Sequence, residues 1–305
     1  MNSLRLAFAV SLLVLPSVTR RWAITSIRPA TWARFVLMSL VAGATLLAVG
    51  LAHEALPLML ALAGPADLAA VCLRIGGHII ARLPFGGWLS VALLAALLAG
   101  SVRGVVRARS RWGDMHAEPT LGLHSPLGDN EMVILDARQH LAVSIPGSPG
   151  QVLVSQSVLN ELNPDQFDGL VRHEEAHLNL HHSRFLLAGA AVDGAFGAVG
   201  PIHSGVATLR LSLERWADEV AIGSSDIRRI ALHGALVDLA EKADRDENGH
   251  DHSLVEPRVA ALNTRPGRPP HLWPWAIGAV SIGVLLASLT GTLGFHVIKL
   301  LIAGT

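Results

Sequence analysis

The chain has 305 residues, 51% of them hydrophobic and only 16% charged, with a mean hydropathy of +0.44. That is too apolar for an ordinary water-soluble domain and points to a membrane protein. Its 24 Lys and Arg balance 24 Asp and Glu, so no charge excess recruits nucleic acid or an acidic partner, and the lone Cys72 excludes an internal disulfide.

Residues 4–19 form an apolar run with Arg20 and Arg21 on its C-terminal side. No A-x-A site follows, so the run reads as an uncleaved anchor rather than a secretory leader. Residues 35–52 make a second span, and residues 88–102 a third that opens on Trp88 at the interface. Between them, residues 53–85 mix Gly, Pro and apolar side chains and read as an outer loop with an interfacial helix. Arg20, Arg21, Arg28 and Arg34 crowd the first loop, and Arg103, Arg107, Arg109 and Arg111 follow the third span, against Arg74 and Arg82 in the loop between. Positive-inside bias therefore predicts a membrane region over residues 1–110, with residues 20–34 and those after 103 in the cytoplasm.

Residues 111–265 are expected to form a cytoplasmic domain. Met132–Leu135, His140–Ile145 and Gln151–Val154 are short β-type runs, and Pro146–Gly150 is a turn cluster, which predicts a small antiparallel sheet. A free sheet edge there could hold an extended peptide by strand addition. Asn163-Pro164-Asp165-Gln166 then reads as an N-cap, Pro at the first helical position, an acid in the first turn and Gln at the third. Phe167, Leu170, Val171, His177 and Leu178 recur at helical spacing after it.

That helix carries His173-Glu174-Glu175-Ala176-His177, an H-E-x-x-H stretch. His173 and His177 fall on one face, so both imidazoles can reach one Zn²⁺, and Glu174 stands ready to take a proton from a water. The plain alternative is a surface helix rich in His and Glu. Downstream, Glu214 and Asp218 are again four apart on one helical face. A catalytic zinc takes three protein ligands and keeps one position open. Glu214 can be the third ligand, and Asp218 can accept a hydrogen bond from the far nitrogen of a ligand His. His181 competes for the same role, since His173, His177 and His181 would form one helical stripe. Donors on three successive turns span about 12 Å, however, while zinc holds each at about 2 Å. A metzincin-type third His is also missing, because Leu180 replaces the Gly that would turn the chain and Ser183 stands where the His belongs.

Residues 185–202 are apolar enough to span. One crossing would put His173 and Glu214 on opposite sides of a bilayer, so the segment is expected to be a buried or membrane-docked helix. His250-Asp251-His252, beside Asn248-Gly249, reads as solvated surface. Residues 266–305 are expected to hold a Pro-rich linker and a last span from Trp273 to Leu293.

The two motifs together resemble the membrane zinc metallopeptidases of families M48 (the CAAX-prenyl protease and HtpX type) and M56 (the β-lactam sensor-transducer type), which share H-E-x-x-H with a later E-x-x-x-D. The lead-in Gly150–Ser155, followed by Leu159, Leu162 and Pro164, is similar as well. So is His252–Leu262, which resembles the H-P-P-x-x-x-R-[IV]-x-x-L stretch of M48 proteins but has Ser253 and Leu254 in place of the prolines. The resemblance implies a mostly α membrane protein with an α+β, zincin-like (gluzincin-type) domain. It implies one Zn²⁺ on His173, His177 and Glu214, with Glu174 as base, Asp218 in support, and His252 and Arg258 near the site. The implied activity is that of a membrane-anchored zinc endopeptidase whose partners are a protein or peptide substrate and the lipid bilayer. The M56 likeness implies cleavage of a cytoplasmic transcriptional repressor in signalling, and the M48 likeness implies quality control of membrane proteins. A non-catalytic scaffold or sensor that kept the fold is the alternative from another class.

Overall fold

The computed structural model describes residues 3–64, 66–75, 80–81, 83–116, 122–137, 140–243 and 254–263. The Pro-rich linker, the span expected at 273–293 and the His250–His252 cluster lie outside them.

The N-terminal third is helical: α1 (Ser3–Ser26), α2 (Pro29–Ala63), α3 (Ala66–Ile75) and α4 (Gly86–His116). Pro29 opens α2 at a position where its missing N–H costs nothing, and Gly64, at φ 111°, closes it in a left-handed cap. Two helices, Pro29–Ala63 and Gly86–Gly113, are long and apolar enough to cross a membrane, whereas the apolar stretch of α1, Leu6–Arg20, is shorter. The runs expected at 35–52 and 88–102 thus lie within longer helices. Pro57 does not end α2, so His53 and Glu54 are helical where a loop was expected. Glu54 is fully buried and accepts hydrogen bonds from the backbone N–H of Ile80 (3.0 Å) and Ala81 (3.1 Å), which ties the connection after α3 onto α2.

A four-stranded sheet follows: β1 (Leu123–Leu127), β2 (Asn130–Leu135), β3 (Ala142–Ile145) and β4 (Gln151–Ser155), in the order β1-β2-β4-β3. The sheet is mixed, not purely antiparallel as expected, because β4 inserts between β2 and β3 and runs parallel to β2. Val152, Leu153 and Val154 of β4 are all fully buried, as a strand covered on both faces requires. Val152 and Val154 pack toward Leu162 and Leu170, and Leu153 meets Val133, Leu135 and Ile145 on the other face. β1 was not expected. Its Pro126 is tolerated because β1 lies at the sheet edge, and the two-residue turn to β2 is opened by Gly128 at φ 58°.

Helices α5 (Gln156–Glu161), α6 (Pro164–Asn179), α7 (His182–Phe196), α8 (Gly200–Ile222), α9 (Asp226–Ala243) and α10 (Val255–Leu262) complete the described chain. The capping box at the start of α6 is present in full: the Asn163 side chain accepts from the Gln166 N–H, and the Gln166 side chain accepts from the Asn163 N–H.

The segment 185–202, expected as one helix, is instead the bend of a helical hairpin. α7 stops at Phe196, the chain turns through Gly197–Val199, and α8 returns. α7 is 15 residues long, so it reaches about 22 Å, less than a hydrocarbon core of ~30 Å. The hairpin returns His173 and Glu214 to the same end. Ile202, Val206, Leu209 and Leu213 of α8 bury against Trp32, Phe35, Val36 and Leu40 of α2. α7 meets α4 almost backbone to backbone. A β-carbon on Gly194 would lie 2.2 Å from the Gly100 carbonyl oxygen, and one on Gly104 would lie 2.0 Å from that of Ala190. Small residues allow such a crossing between apolar helices.

Candidate metal centre

Three helices converge on one point. α6 brings His173 and His177, α8 brings Glu214 and Asp218, and α10 brings Arg258. His173 Nε2 and His177 Nε2 are 3.2 Å apart, His173 Nε2 lies 3.4 Å from Glu214 Oε2, and His177 Nε2 lies 3.6 Å from Glu214 Oε1. Four ligands at zinc's usual bond lengths form a tetrahedron with edges of about 3.3 Å. The two imidazole nitrogens and the two carboxylate oxygens thus lie near that spacing, one ligand atom from each residue lies within 4.8 Å of the others, and His173, His177 and Glu214 could hold a single metal ion. Glu214 remains about a quarter exposed (26%), which leaves a solvent side to the centre.

The far nitrogen of His173 has a strong partner, with Nδ1 lying 2.9 Å from Asp218 Oδ1. That contact orients the ring and turns Nε2 toward His177 and Glu214. Asp218 is itself gripped by Arg258, whose Nε lies 3.0 Å from Oδ2 and whose terminal nitrogen lies 2.7 Å from Oδ1, a two-pronged pair. The other terminal nitrogen of Arg258 reaches Glu214 Oε2 at 3.1 Å. Asp218 and Arg258 are both buried, so each charge depends on the other.

The electrostatics follow this geometry. Burial and Arg258 push the His173 pKa down, but Asp218 and Glu214 outweigh them and raise it to about 9. Burial lowers the pKa of His177 and so favours the neutral ring that a metal ligand needs. Burial also works against the charged forms of Glu214 and Asp218, yet both are held below the ordinary carboxylate range, Glu214 by His177 and Arg258, and Asp218 by Arg258 and His173.

Glu174, beside the first His on α6, is 9% exposed and lies close enough to His177 and Arg258 to interact with both. His181 is separate from the cluster. α6 ends at Asn179, and His181 adopts φ 54°, in the left-handed region, with its Nδ1 3.0 Å from the carbonyl oxygen of Leu178. The stripe His173-His177-His181 is therefore broken before its third member. His252 lies outside the described residues.

The break brings in His182, which the sequence reading did not single out. It is fully buried, and its Nδ1 lies 3.1 Å from His177 Nδ1. It packs on Trp216 at a ring distance of 4.9 Å and on Phe185 at 6.2 Å. Burial and the neighbouring His177 lower its pKa to about 3. Trp216, two residues beyond Glu214, carries the guanidinium of Arg34 over its ring at 4.7 Å, which joins the start of α2 to this region. A five-residue separation lies on no common helical face, so periodicity holds no signal for a pair between His177 and His182.

A cavity of about 310 Å³ opens beside His177 and is lined by Trp112, Asn130, Ser144, Leu178 and Ser183, among others. Ser144 belongs to β3, an edge strand of the sheet. Comparison of the chain with protein-family models, curated proteins and solved structures found no match to any of them.

Proposed function

We propose that the protein is a membrane-anchored, zinc-dependent endopeptidase. The observation that carries this reading is the convergence of His173 Nε2, His177 Nε2 and the Glu214 carboxylate, one ligand atom from each lying within 4.8 Å of the others, with Glu174 next in the chain to the first. A bound zinc supplies Lewis acidity, polarising a carbonyl and making water a better nucleophile. The protein's own groups do the rest. Glu174 takes a proton from the attacking water and hands it to the departing amine. Asp218 keeps the His173 ring oriented, and Arg258 keeps Asp218 ionised. A substrate strand extends along the free edge of β3 and puts a side chain into the cavity beside His177.

The two long apolar helices, α2 and α4, anchor the chain in the bilayer, and the Arg-rich segments flanking them put the metal end of the molecule in the cytoplasm. A cytoplasmic repressor protein is the substrate class that the β-lactam sensor-transducer likeness suggests, and a damaged membrane protein is the one the other family suggests.

The test is metal analysis and casein proteolysis on purified full-length protein, wild type beside Glu174→Gln. The wild type is expected to hold one zinc per chain and to cleave. Glu174→Gln, which removes a base and no ligand, is expected to keep the zinc and lose at least ~100-fold in rate. Zinc-loaded wild type with no cleavage of any protein would leave the non-catalytic scaffold as the better reading.

A further inference from the structure

His173 and His177 receive unlike support. The outer nitrogen of His173 faces a carboxylate that is itself paired with Arg258. The outer nitrogen of His177 faces another imidazole, that of His182. We infer that His182 is a positioning residue of the metal centre, accepting the Nδ1–H of His177 so that His177 Nε2 is left free to bind the ion. The inference rests on the zinc reading above.

Three observations carry it. The first is that His182 is fully buried, with its ring packed against Trp216 and Phe185. The second is that its Nδ1 stands at hydrogen-bond distance from the one nitrogen of His177 that does not face His173 and Glu214. The third is that its other nitrogen, Nε2, is buried with no hydrogen-bond partner. A neutral imidazole carries one N–H and one lone pair. If Nδ1 accepts from His177, the proton of His182 must sit on Nε2, against the pocket wall. A buried N–H without an oxygen partner is an unfavourable arrangement, and aromatic faces offset it in part. The unfavourable proton is placed where it frees the lone pair that His177 needs. The left-handed residue His181 makes the contact possible, because a continuous helix would point residue 182 away from residue 177.

A packing role and an acceptor role separate cleanly. His182→Phe keeps an aromatic ring against Trp216 and loses the acceptor. His182→Gln loses the ring and keeps a carbonyl that can accept. Zinc affinity of the full-length protein in detergent is measured by competition with a chromophoric chelator, and the cobalt-substituted protein gives a ligand-field absorption spectrum. His182→Phe is expected to bind zinc about 10–100-fold more weakly, the range seen when the outer partner of a ligand His is lost. His182→Gln is expected to stay within a few-fold of wild type with the wild-type cobalt spectrum. If His182→Phe does not fold, His182→Met gives the same comparison. Phe matching wild type, or Gln as weak as Phe, overturns the role of His182 while leaving the zinc centre standing. A wild type that takes up no zinc overturns the zinc reading itself, and this inference with it.

Discussion

Arg258→Met keeps much of the side chain's bulk and removes its charge from Asp218 and Glu214. Asp218 is left buried with His173 as its remaining partner, so the loss falls below the ~3–5 kcal/mol of a buried charge stripped of all compensation. The metal-free protein is therefore expected to unfold at clearly lower denaturant, and Arg258→Lys, which keeps a charge but not the fork, to fall between. Metal content separates the ligands from their neighbours. Glu214→Ala is expected to lose most of the zinc, His181→Ala to retain it, and Asp218→Ala to weaken binding about 10–100-fold, all read by elemental analysis and chelator competition. His181→Ala emptying the site while Glu214→Ala leaves it full would overturn this ligand set. His173, His177, Glu214 and Asp218 were open to reading because 3.6-residue periodicity puts His173 over His177 and Glu214 over Asp218. Arg258 was visible through a motif likeness alone. The exclusion of His181 was legible from helical rise, but the left-handed backbone at φ 54° that ends the stripe and the arrival of His182 were not, since nothing in the local sequence requires a left-handed residue at 181.

At the scale of elements, the crossing of α4 and α7 makes a sharp prediction. Gly194→Ala puts a β-carbon 2.2 Å from backbone, with no flexible side chain to give way, so the helices must separate. Gly113, on α4 but away from the crossing, has nothing within 4 Å of an added β-carbon, and there Ala simply favours the helix by about 0.5–1 kcal/mol. Thermal unfolding in detergent should fall for Gly194→Ala and hold or rise for Gly113→Ala; equal behaviour would mean the crossing is not tight in solution. Periodicity and capping make α6 legible, down to its Asn163 cap. The bend between α7 and α8 also left a mark in the Gly200-Pro201 pair, a helix-starting signal that sits inside what reads as one apolar run. The Gly128-Asp129 pair marks the β1–β2 turn in the same way, masked by Pro126. The parallel pairing of β2 with β4 left no local mark, because the residues that meet are about twenty apart and β3 intervenes.

For the whole molecule, the lone Cys72 makes a Cys72→Ser background free of thiols. With α2 and α4 across the bilayer, Leu83→Cys is expected to react with a membrane-impermeant maleimide on intact cells and Leu123→Cys only after lysis; both side chains are well exposed. Reaction of Leu123→Cys from outside would invert the orientation. Two helices long and apolar enough to cross a membrane were legible from hydropathy alone, but the extent of α2 was not: Pro57 reads as a break, yet the helix runs on to Ala63, well into the expected loop, and Glu54 within it accepts two backbone N–H groups from far along the chain.

The hairpin also sets an order in time. Synthesis delivers His173 and His177 first, as a pair of donors with no third, and α7 and the turn through Gly197–Val199 follow before Glu214 appears. Because α7 is too short to cross a hydrocarbon core and α8 turns back beside it, Glu214 returns to the two histidines within one helical hairpin. Arg258 arrives last, on α10, and clasps Asp218 and Glu214 once the donors are already together. A nascent chain halted before α8 therefore presents two imidazoles without the carboxylate, and if the centre holds zinc as proposed, its third donor joins only when Glu214 has been made.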